Sequence, residues 1–181
     1  MRVWTIQTPD VLAALSAGKC WQADARACRA PWLPAYRWMA ESMRTRLGAP
    51  SRSGQMPVWL WCQWRGVAHP KPDLRMRGHL PSGETGVRIE LEIDATRILQ
   101  SDFELWHYVM NGWYLPESLA DERAFDARPD RRRIEPSWRR IFDLARCHRR
   151  YSGPRAGRSI QGTTWELRPG DVRGAGAFTA R

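Results

Sequence analysis

The sequence predicts an α+β fold in which residues 1–181 form a single domain, with a mixed or largely antiparallel sheet and three to five helices. Its 181 residues are 43% apolar, which is enough to bury one hydrophobic core. The predicted strands and helices mix without the regular strand–helix–strand alternation of a parallel sheet. No internal repeat is visible in the sequence.

The first predicted elements are a strand and two helices. Residues 3–7 alternate apolar and polar side chains and predict a short strand. Pro9 and Gly18 bound the first predicted helix, since proline favours a helix start and glycine a helix end. The second helix covers residues 34–47, where apolar residues recur at helical spacing before Gly48.

Two strands and a long connection follow. Residues 57–64 are apolar almost throughout, which is typical of a central strand. Residues 66–86 are rich in glycine, proline and charge, and predict an irregular connection of a length that often serves function. Residues 87–94 alternate apolar and charged side chains and are the clearest strand of the chain.

The segment 101–114 is the most informative stretch. Ser101 and Glu104 predict a capping box at the start of a helix. Polar groups on the face that carries large apolar side chains need partners, so the helix predicts a site. Because it follows strand 87–94 closely, we expect its polar groups to pack against the end of that strand. One stripe of this helix consists of Phe103, His107 and Asn111.

The C-terminal part combines arginine-rich and strand-like segments. Residues 123–158 form an Arg-rich helical or loop segment, within which residues 137–144 predict a helix. Residues 159–181 predict a C-terminal strand pair separated by a turn at 168–171.

Positive charge is concentrated in one part of the chain. The net charge is +10, and residues 123–158 hold 12 Arg but only 4 acidic residues. A stretch dense in arginine is what phosphate contact requires, which makes nucleic acid a candidate partner. The alternatives are a solvated surface and a GC-rich genome, since the chain has 27 Arg and only 2 Lys.

Cysteine spacing and hydropathy bear on metals and compartment. The four cysteines have no metal-like spacing, and His148 beside Cys147 lacks clustered partners, so no metal is expected. We expect reduced thiols in a cytoplasmic protein. The first ten residues contain no apolar signal region, and no window approaches a membrane span, so no membrane partner is expected. The oligomeric state is not predicted.

Six motifs spread over nearly the whole chain are specific. They are Val3-Trp4-Thr5-Ile6-Gln7, Tyr36-x-Trp38-Met39, Val58-Trp59-x-Trp61, Lys71-Pro72-Asp73-Leu74-Arg75, Ser101-Asp102-Phe103-x-x-Trp106-His107 and Ser137-Trp138-x-x-Ile141-Phe142. Together they resemble a bacterial domain of unknown function, number three-eight-four-one, whose name implies no activity.

A second resemblance concerns two of the predicted strands. Residues 3–18 are similar to the opening of ADP-ribosyltransferase folds, and the strand of Glu90 and Glu92 resembles their acidic E-x-E strand. The resemblance implies NAD as cofactor, Thr5 and Gln7 near the nicotinamide, and one of the two glutamates as catalytic carboxylate. Several of those families carry His in place of Thr5, and Thr or Ser in place of Gln7.

The two glutamates suit glycosyl transfer chemically. Breaking an N-glycosidic bond passes through a cation-like sugar, which a nearby carboxylate stabilises. Glu90 and Glu92 project from the same face of their predicted strand, so either suits this role. The alternative is a solvated strand face with Arg88 as their neighbour.

Other candidates lie in the segment 101–114. Histidine is the residue type best suited to proton transfer at neutral pH, so His107 is a candidate general acid or base. Asn111, one turn later, is placed to orient His107 or a ligand amide; alternatively, both anchor an aromatic core. Asp102 and Trp113 are candidate ligand contacts, although a carboxylate at position 102 also suits a helix N-terminus.

Tryptophan and arginine supply the remaining ligand contacts. Most of the eleven tryptophans are expected in the core, but a few suit a pocket or a stacking platform. Trp59, Trp61 and Trp64 are each candidates for stacking on a nicotinamide or adenine ring, and Trp61 is the one assigned to the ligand site. Arg75 is the candidate for a bidentate phosphate contact, with a surface pair to Asp73 as the alternative.

Two functional hypotheses follow. The first is an ADP-ribosyltransferase-like enzyme that acts on NAD or a related nucleotide. The second is a nucleotide or nucleic-acid binding module that uses the tryptophan cluster and residues 123–158. A structural or regulatory partner of another protein is a third alternative.

Overall fold

The computed structural model describes residues 1–145 and 155–181, and these form six strands and five α-helices. The strands are β1 (Arg2–Gln7), β2 (Val58–Gln63), β3 (Thr85–Glu92), β4 (Leu99–Asp102), β5 (Ile160–Thr164) and β6 (Val172–Thr179). The helices are α1 (Pro9–Ser16), α2 (Leu33–Leu47), α3 (Phe103–Met110), α4 (Leu119–Ala127) and α5 (Ile134–Ser137). Cys147 and His148, with part of the Arg-rich segment, lie outside the described residues.

All six strands form one open sheet in the order β4-β5-β2-β1-β3-β6, and every neighbouring pair is antiparallel. The predicted α+β class with a largely antiparallel sheet is therefore confirmed. β2, predicted as a central strand, lies between β5 and β1. Both C-terminal strands form, but they do not pair with each other: β5 lies between β4 and β2, whereas β6 is the edge strand beside β3.

The register assigns side chains to two faces of the sheet. Trp4 lies opposite both Trp61 and Glu90, so these three side chains project from one face. Thr5 lies opposite Ile89 and projects from the other face, which α1 covers. The core on the α1 face includes Val3, Val11, Leu15, Leu60, Ile89 and Leu91.

The opposite face is covered by α2 and α3 over part of its width only. Their core packs against the β4–β5–β2 side of the sheet, where Leu99 and Trp59 contribute. Its buried members are Ala35, Met39, Met43, Leu99, Leu105, Trp106, Val109, Leu115 and Ile141. No helix among the described elements is long and apolar enough to cross a bilayer.

The start of α3 differs from the prediction. Ser101 does not cap the helix, because Leu99–Asp102 pairs with β5 as strand β4. Asp102 is the cap instead, and its carboxylate accepts a hydrogen bond from the Leu105 amide at 3.1 Å. The expected packing of His107 and Asn111 against the end of β3 is also wrong, since α3 packs on β4, which three strands separate from β3.

The helix predicted over residues 137–144 takes another form. Residues 134–137 are the short helix α5, and Trp138–Phe142 continue as a 3₁₀ helix. α4 was not predicted, although Ser118 caps it by accepting from the Asp121 amide at 3.1 Å.

A buried ion pair joins α3 to the sheet. Arg158 Nε lies 3.2 Å from Asp102 Oδ2, and the two side chains are 2% and 1% exposed. The Arg158 carbonyl accepts from the Gly66 amide at 3.1 Å. Gly66 has φ +79°, and a Cβ there would lie 1.9 Å from the Ala156 oxygen, so this approach requires glycine.

Removing Arg158 should therefore destabilise the fold strongly. We expect Arg158→Ala to lower the free energy of unfolding by about 3 kcal/mol, because the Asp102 carboxylate would lose its buried counter-charge. Urea denaturation followed by circular dichroism measures this change. Arg75→Ala, which removes an exposed pair with Asp73, is the control and should leave the midpoint unchanged. Equal midpoints for the two variants would contradict the prediction.

Candidate functional site

An aromatic cavity of about 640 Å³ lies along β2, beside the end of β1. We call it the aromatic cavity. Its polar lining side chains are Gln7, Cys28, Arg77 and His79. Its aromatic lining side chains are Trp21, Tyr36, Trp59, Trp61, Trp64 and Phe103.

Strand geometry places the tryptophans. Trp59 and Trp61 are two residues apart on β2, so both project from the same face. An irregularity between Trp61 and Gln63 bends the strand end. Trp64 then lies edge-on to Trp61, with ring centroids 4.4 Å apart and planes at 77°.

The other walls come from helices. Phe103 is the first residue of α3, and its ring lies 4.9 Å from that of Trp61. Tyr36 of α2 meets Trp59 edge-on at 5.5 Å. Elements far apart in sequence thus supply the rings of one cavity.

Two indole N–H groups of the cavity have no acceptor of normal hydrogen-bond geometry among the described residues. Nε1 of Trp59 and Nε1 of Trp64 are buried, and neither has a hydrogen-bond partner within residues 1–145 and 155–181. Burial raises the pKa of the Tyr36 phenol, and nearby Cys28 raises it further. The Trp59 indole beside the phenol lowers this pKa, although its N–H does not meet the geometry of a hydrogen bond. A buried donor without an acceptor costs about 1–3 kcal/mol.

The amide of Gln7 is held in place by its neighbour. Gln7 Nε2 donates to Thr5 Oγ1 at 2.8 Å, and Thr5 Oγ1 donates to the Trp59 carbonyl at 2.8 Å. Thr5 itself is 1% exposed. It therefore orients Gln7 and does not line the cavity.

The charge of the cavity lining is positive or neutral. No carboxylate lines it among the residues that the structure describes. Arg77 is exposed and makes no ion pair with any described residue, while His79 Nε2 lies 2.9 Å from the Asp73 carbonyl. The described lining side chains thus offer several hydrogen-bond donors and no carboxylate, which suits a ligand with acceptor atoms or negative charge.

Of the predicted site residues, the cavity brings together Gln7 and Trp61, with Thr5 behind them. Glu90 and Glu92 do not line it. Burial opposes ionisation of Glu90, but hydrogen bonds from Trp4 and Arg2 outweigh it and lower its pKa. Glu92 pairs with the N-terminal ammonium of Met1 at 2.9 Å. Their catalytic role stays a prediction.

The predicted residues of segment 101–114 contact their own backbone. His107 Nδ1 lies 3.0 Å from the Phe103 carbonyl, one turn earlier. Asn111 Nδ2 donates to the His107 carbonyl at 2.7 Å at the end of α3. Trp113 is 57% exposed and lies outside the aromatic cavity, and Asp102 is the cap paired with Arg158.

Arg75 also lies outside the cavity. Its guanidinium donates to both carboxylate oxygens of Asp73, at distances between 2.7 and 3.2 Å. These hydrogen bonds hold the pKa of the Asp73 carboxyl well below its usual range. Arg75 therefore forms the surface pair with Asp73 that was the alternative to a phosphate contact.

Sequence reasoning missed Tyr36, Arg77 and His79 as site residues. The long connection 66–86 was a signal for the last two, because it was expected to serve function. Within the described residues, no group of three or more His, Cys, Asp or Glu side chains is arranged to hold a metal ion.

A family model described as domain of unknown function (DUF3841) matches residues 2–131. The chain belongs to this family. All the lining residues of the aromatic cavity lie within the matched range. Neither the curated proteins nor the solved structures gave a match to the chain. The family description assigns no activity, and the resemblance to ADP-ribosyltransferases stays a prediction.

Thiol reactivity tests the burial of the described cysteines. Burial raises the pKa of Cys62 to about 12, whereas Cys20 is exposed. Since the thiolate is the nucleophile, iodoacetamide at pH 8 should alkylate Cys20 first, Cys28 more slowly and Cys62 last. Mass spectrometry of peptides over time measures the order, and Cys62 reacting as fast as Cys20 would contradict it.

The same pKa predicts an alkaline loss of stability. The pKa of Cys62 in the folded chain lies above its unfolded value, so the buried thiol is favoured in its protonated form. Its contribution to the free energy of unfolding is therefore fully present below pH 9.0 and is lost as pH rises toward about 12. Between those values, Cys62→Ala should lose less thermal stability with rising pH than the wild type. Calorimetric scans across that range measure the difference, and identical pH slopes would refute it.

Proposed function

We propose that this DUF3841 protein binds a nucleotide-type small molecule in the aromatic cavity. The base lies against the tryptophan rings, and the phosphate lies at the mouth near Arg77. The observation that carries this proposal is an aromatic wall combined with the buried Trp59 and Trp64 N–H groups, which have no acceptor in the described chain.

A nucleobase fits both features of the wall. Its flat face stacks on aromatic side chains, which is worth about 1–3 kcal/mol per base. Its ring nitrogens and carbonyls are the acceptors that the two indole groups require. The fixed carboxamide of Gln7 offers a further polar contact to the base edge.

The size and charge of the cavity support the same ligand class. Its volume of about 640 Å³ lies within the range of about 300–1,000 Å³ that is usual for ligand pockets. Arg77 presents a guanidinium, which binds phosphate oxygens in a bidentate manner. A cationic ligand is disfavoured because the described lining offers it no carboxylate.

NAD is one member of this class, and ADP-ribosyl transfer from it is the more specific hypothesis. That reaction requires a carboxylate near the sugar. Of the two candidate glutamates, Glu90 is the closer to the cavity by register, since it lies opposite Trp4, which lies opposite Trp61. If the protein only binds nucleotides, Glu90→Gln keeps its nucleotide affinity and the wild type does not turn over NAD. If the protein transfers ADP-ribose, the wild type turns over NAD and Glu90→Gln loses this activity.

Trp61→Ala should weaken nucleotide binding by about tenfold or more, because it removes one stacking surface. Trp113→Ala is the matched control, since Trp113 is a tryptophan outside the cavity. Isothermal titration with AMP, ATP and NAD measures both. Absence of binding to any of these nucleotides by the wild type, or equal loss in the two variants, would refute the proposal.

Arg77→Ala should weaken AMP and ATP binding by about fivefold or more while leaving adenosine binding unchanged, because its guanidinium contacts only phosphate. Arg75→Ala, from the same loop, is the control. The comparison is made by the same titration. Equal loss of adenosine and AMP affinity in Arg77→Ala would contradict a phosphate contact at the cavity mouth.

A further inference from the structure

A second concave surface lies on a different side of α2. Tyr36 of this helix lines the aromatic cavity, whereas Arg37 and Trp38 line a groove of about 970 Å³. The groove lies between α2, the end of α3 and the segment 135–142, and we call it the α2 groove. Its charged and aromatic lining includes Arg37, Trp38, Arg46, Trp138, Arg139 and Phe142.

The α2 groove carries unneutralised positive charge. An adjoining cleft of about 340 Å³ shares Trp38, Glu135 and Arg139 with it and adds two more arginines. None of the five arginines makes an ion pair with another described residue. They are Arg37, Arg46, Arg131, Arg132 and Arg139.

Only two carboxylates face these arginines from the described lining. One, Glu41, is already paired with Arg44 on the same helix. The other is Glu135, which is exposed. The surface therefore attracts anions, and it attracts an anion with several charges most strongly.

The aromatic side chains of the groove form a continuous set. Trp38 and Phe142 stack with their planes 11° apart and ring centroids at 5.7 Å. Trp138 meets Trp38 edge-on at 5.6 Å, and the Arg46 guanidinium lies 4.4 Å over the Phe142 ring. Flat rings interleaved with guanidinium groups are the arrangement on which unpaired bases stack.

We propose that the α2 groove binds single-stranded nucleic acid, with the arginines on phosphates and the rings of Trp38 and Trp138 against bases. An acidic peptide would match the charge, but only a nucleic acid carries a flat ring on every charged unit. A duplex would match the charge but would keep its bases stacked on each other. The tryptophan cluster of β2 takes no part, because it lines the separate aromatic cavity.

Fluorescence anisotropy with labelled oligothymidylate and oligouridylate of about 12 nucleotides tests the proposal on the whole chain. Arg131→Ala/Arg132→Ala/Arg139→Ala should lose at least about tenfold in affinity, and its salt slope should fall by about 1 for each phosphate contact removed. The matched control is Arg26→Ala/Arg52→Ala/Arg173→Ala, which removes the same charge at exposed positions outside the groove. The control should lose no more than about twofold.

Removing the opposing carboxylate gives a test in the other direction. Glu135→Gln should raise the affinity, because it removes the one groove carboxylate without an arginine partner in the described chain. Glu84→Gln, exposed elsewhere, is its control. Circular dichroism melting curves confirm that each variant is folded before its affinity is compared.

Binding of DNA, RNA or both supports the proposal. It is overturned if the wild type binds neither, if the two triple variants lose equally, or if polyglutamate competes as well as the oligonucleotide. Trp61→Ala, which alters the aromatic cavity, should leave oligonucleotide binding unchanged. The proposal for the α2 groove and the proposal for the aromatic cavity are therefore tested independently of each other.

Discussion

Asp102 and Arg158 are both almost completely buried, and each lies where a different element begins. Asp102 caps α3, while Arg158 comes shortly before β5. Desolvating two charges is costly, so the pair is stable only when each charge is satisfied by the other and by further hydrogen bonds. Arg158 Nη1 donates to the Leu144 carbonyl at 3.1 Å, which ties the pair to a third segment.

The same neighbourhood holds two walls of the aromatic cavity. The Phe103 amide donates to the Ser159 carbonyl at 3.1 Å, and the Ser159 hydroxyl donates to the Trp64 carbonyl. Gln63 Nε2 donates to the Arg158 carbonyl at 3.0 Å. Phe103 and Trp64 thus keep their positions through backbone contacts beside one ion pair, which couples the stability of the fold to the shape of the cavity.

The sequence predicts a structural feature well when the residues that determine it are close together in the chain. Alternation along β3 and helical spacing along α2 are local, and both elements form close to the predicted bounds. Ser101 was assigned wrongly because its place is decided by pairing with Gln161, which lies 60 residues away in the chain. Gln7 and Trp61 were identified from motifs, whereas Arg77 and His79 reach the cavity only because their loop folds back over β2.

The distribution of charge separates composition from structure. A GC-rich genome explains arginine in place of lysine at every position alike. It does not explain why residues 1–122 hold 14 basic and 13 acidic side chains while residues 123–158 hold 12 and 4. In the described structure, arginines such as Arg2, Arg75 and Arg97 meet carboxylates. The arginines of the α2 groove meet no carboxylate among the described residues, and three of them, Arg131, Arg132 and Arg139, come from the arginine-rich segment. This part of the excess charge lies beside the aromatic side chains that would hold unpaired bases.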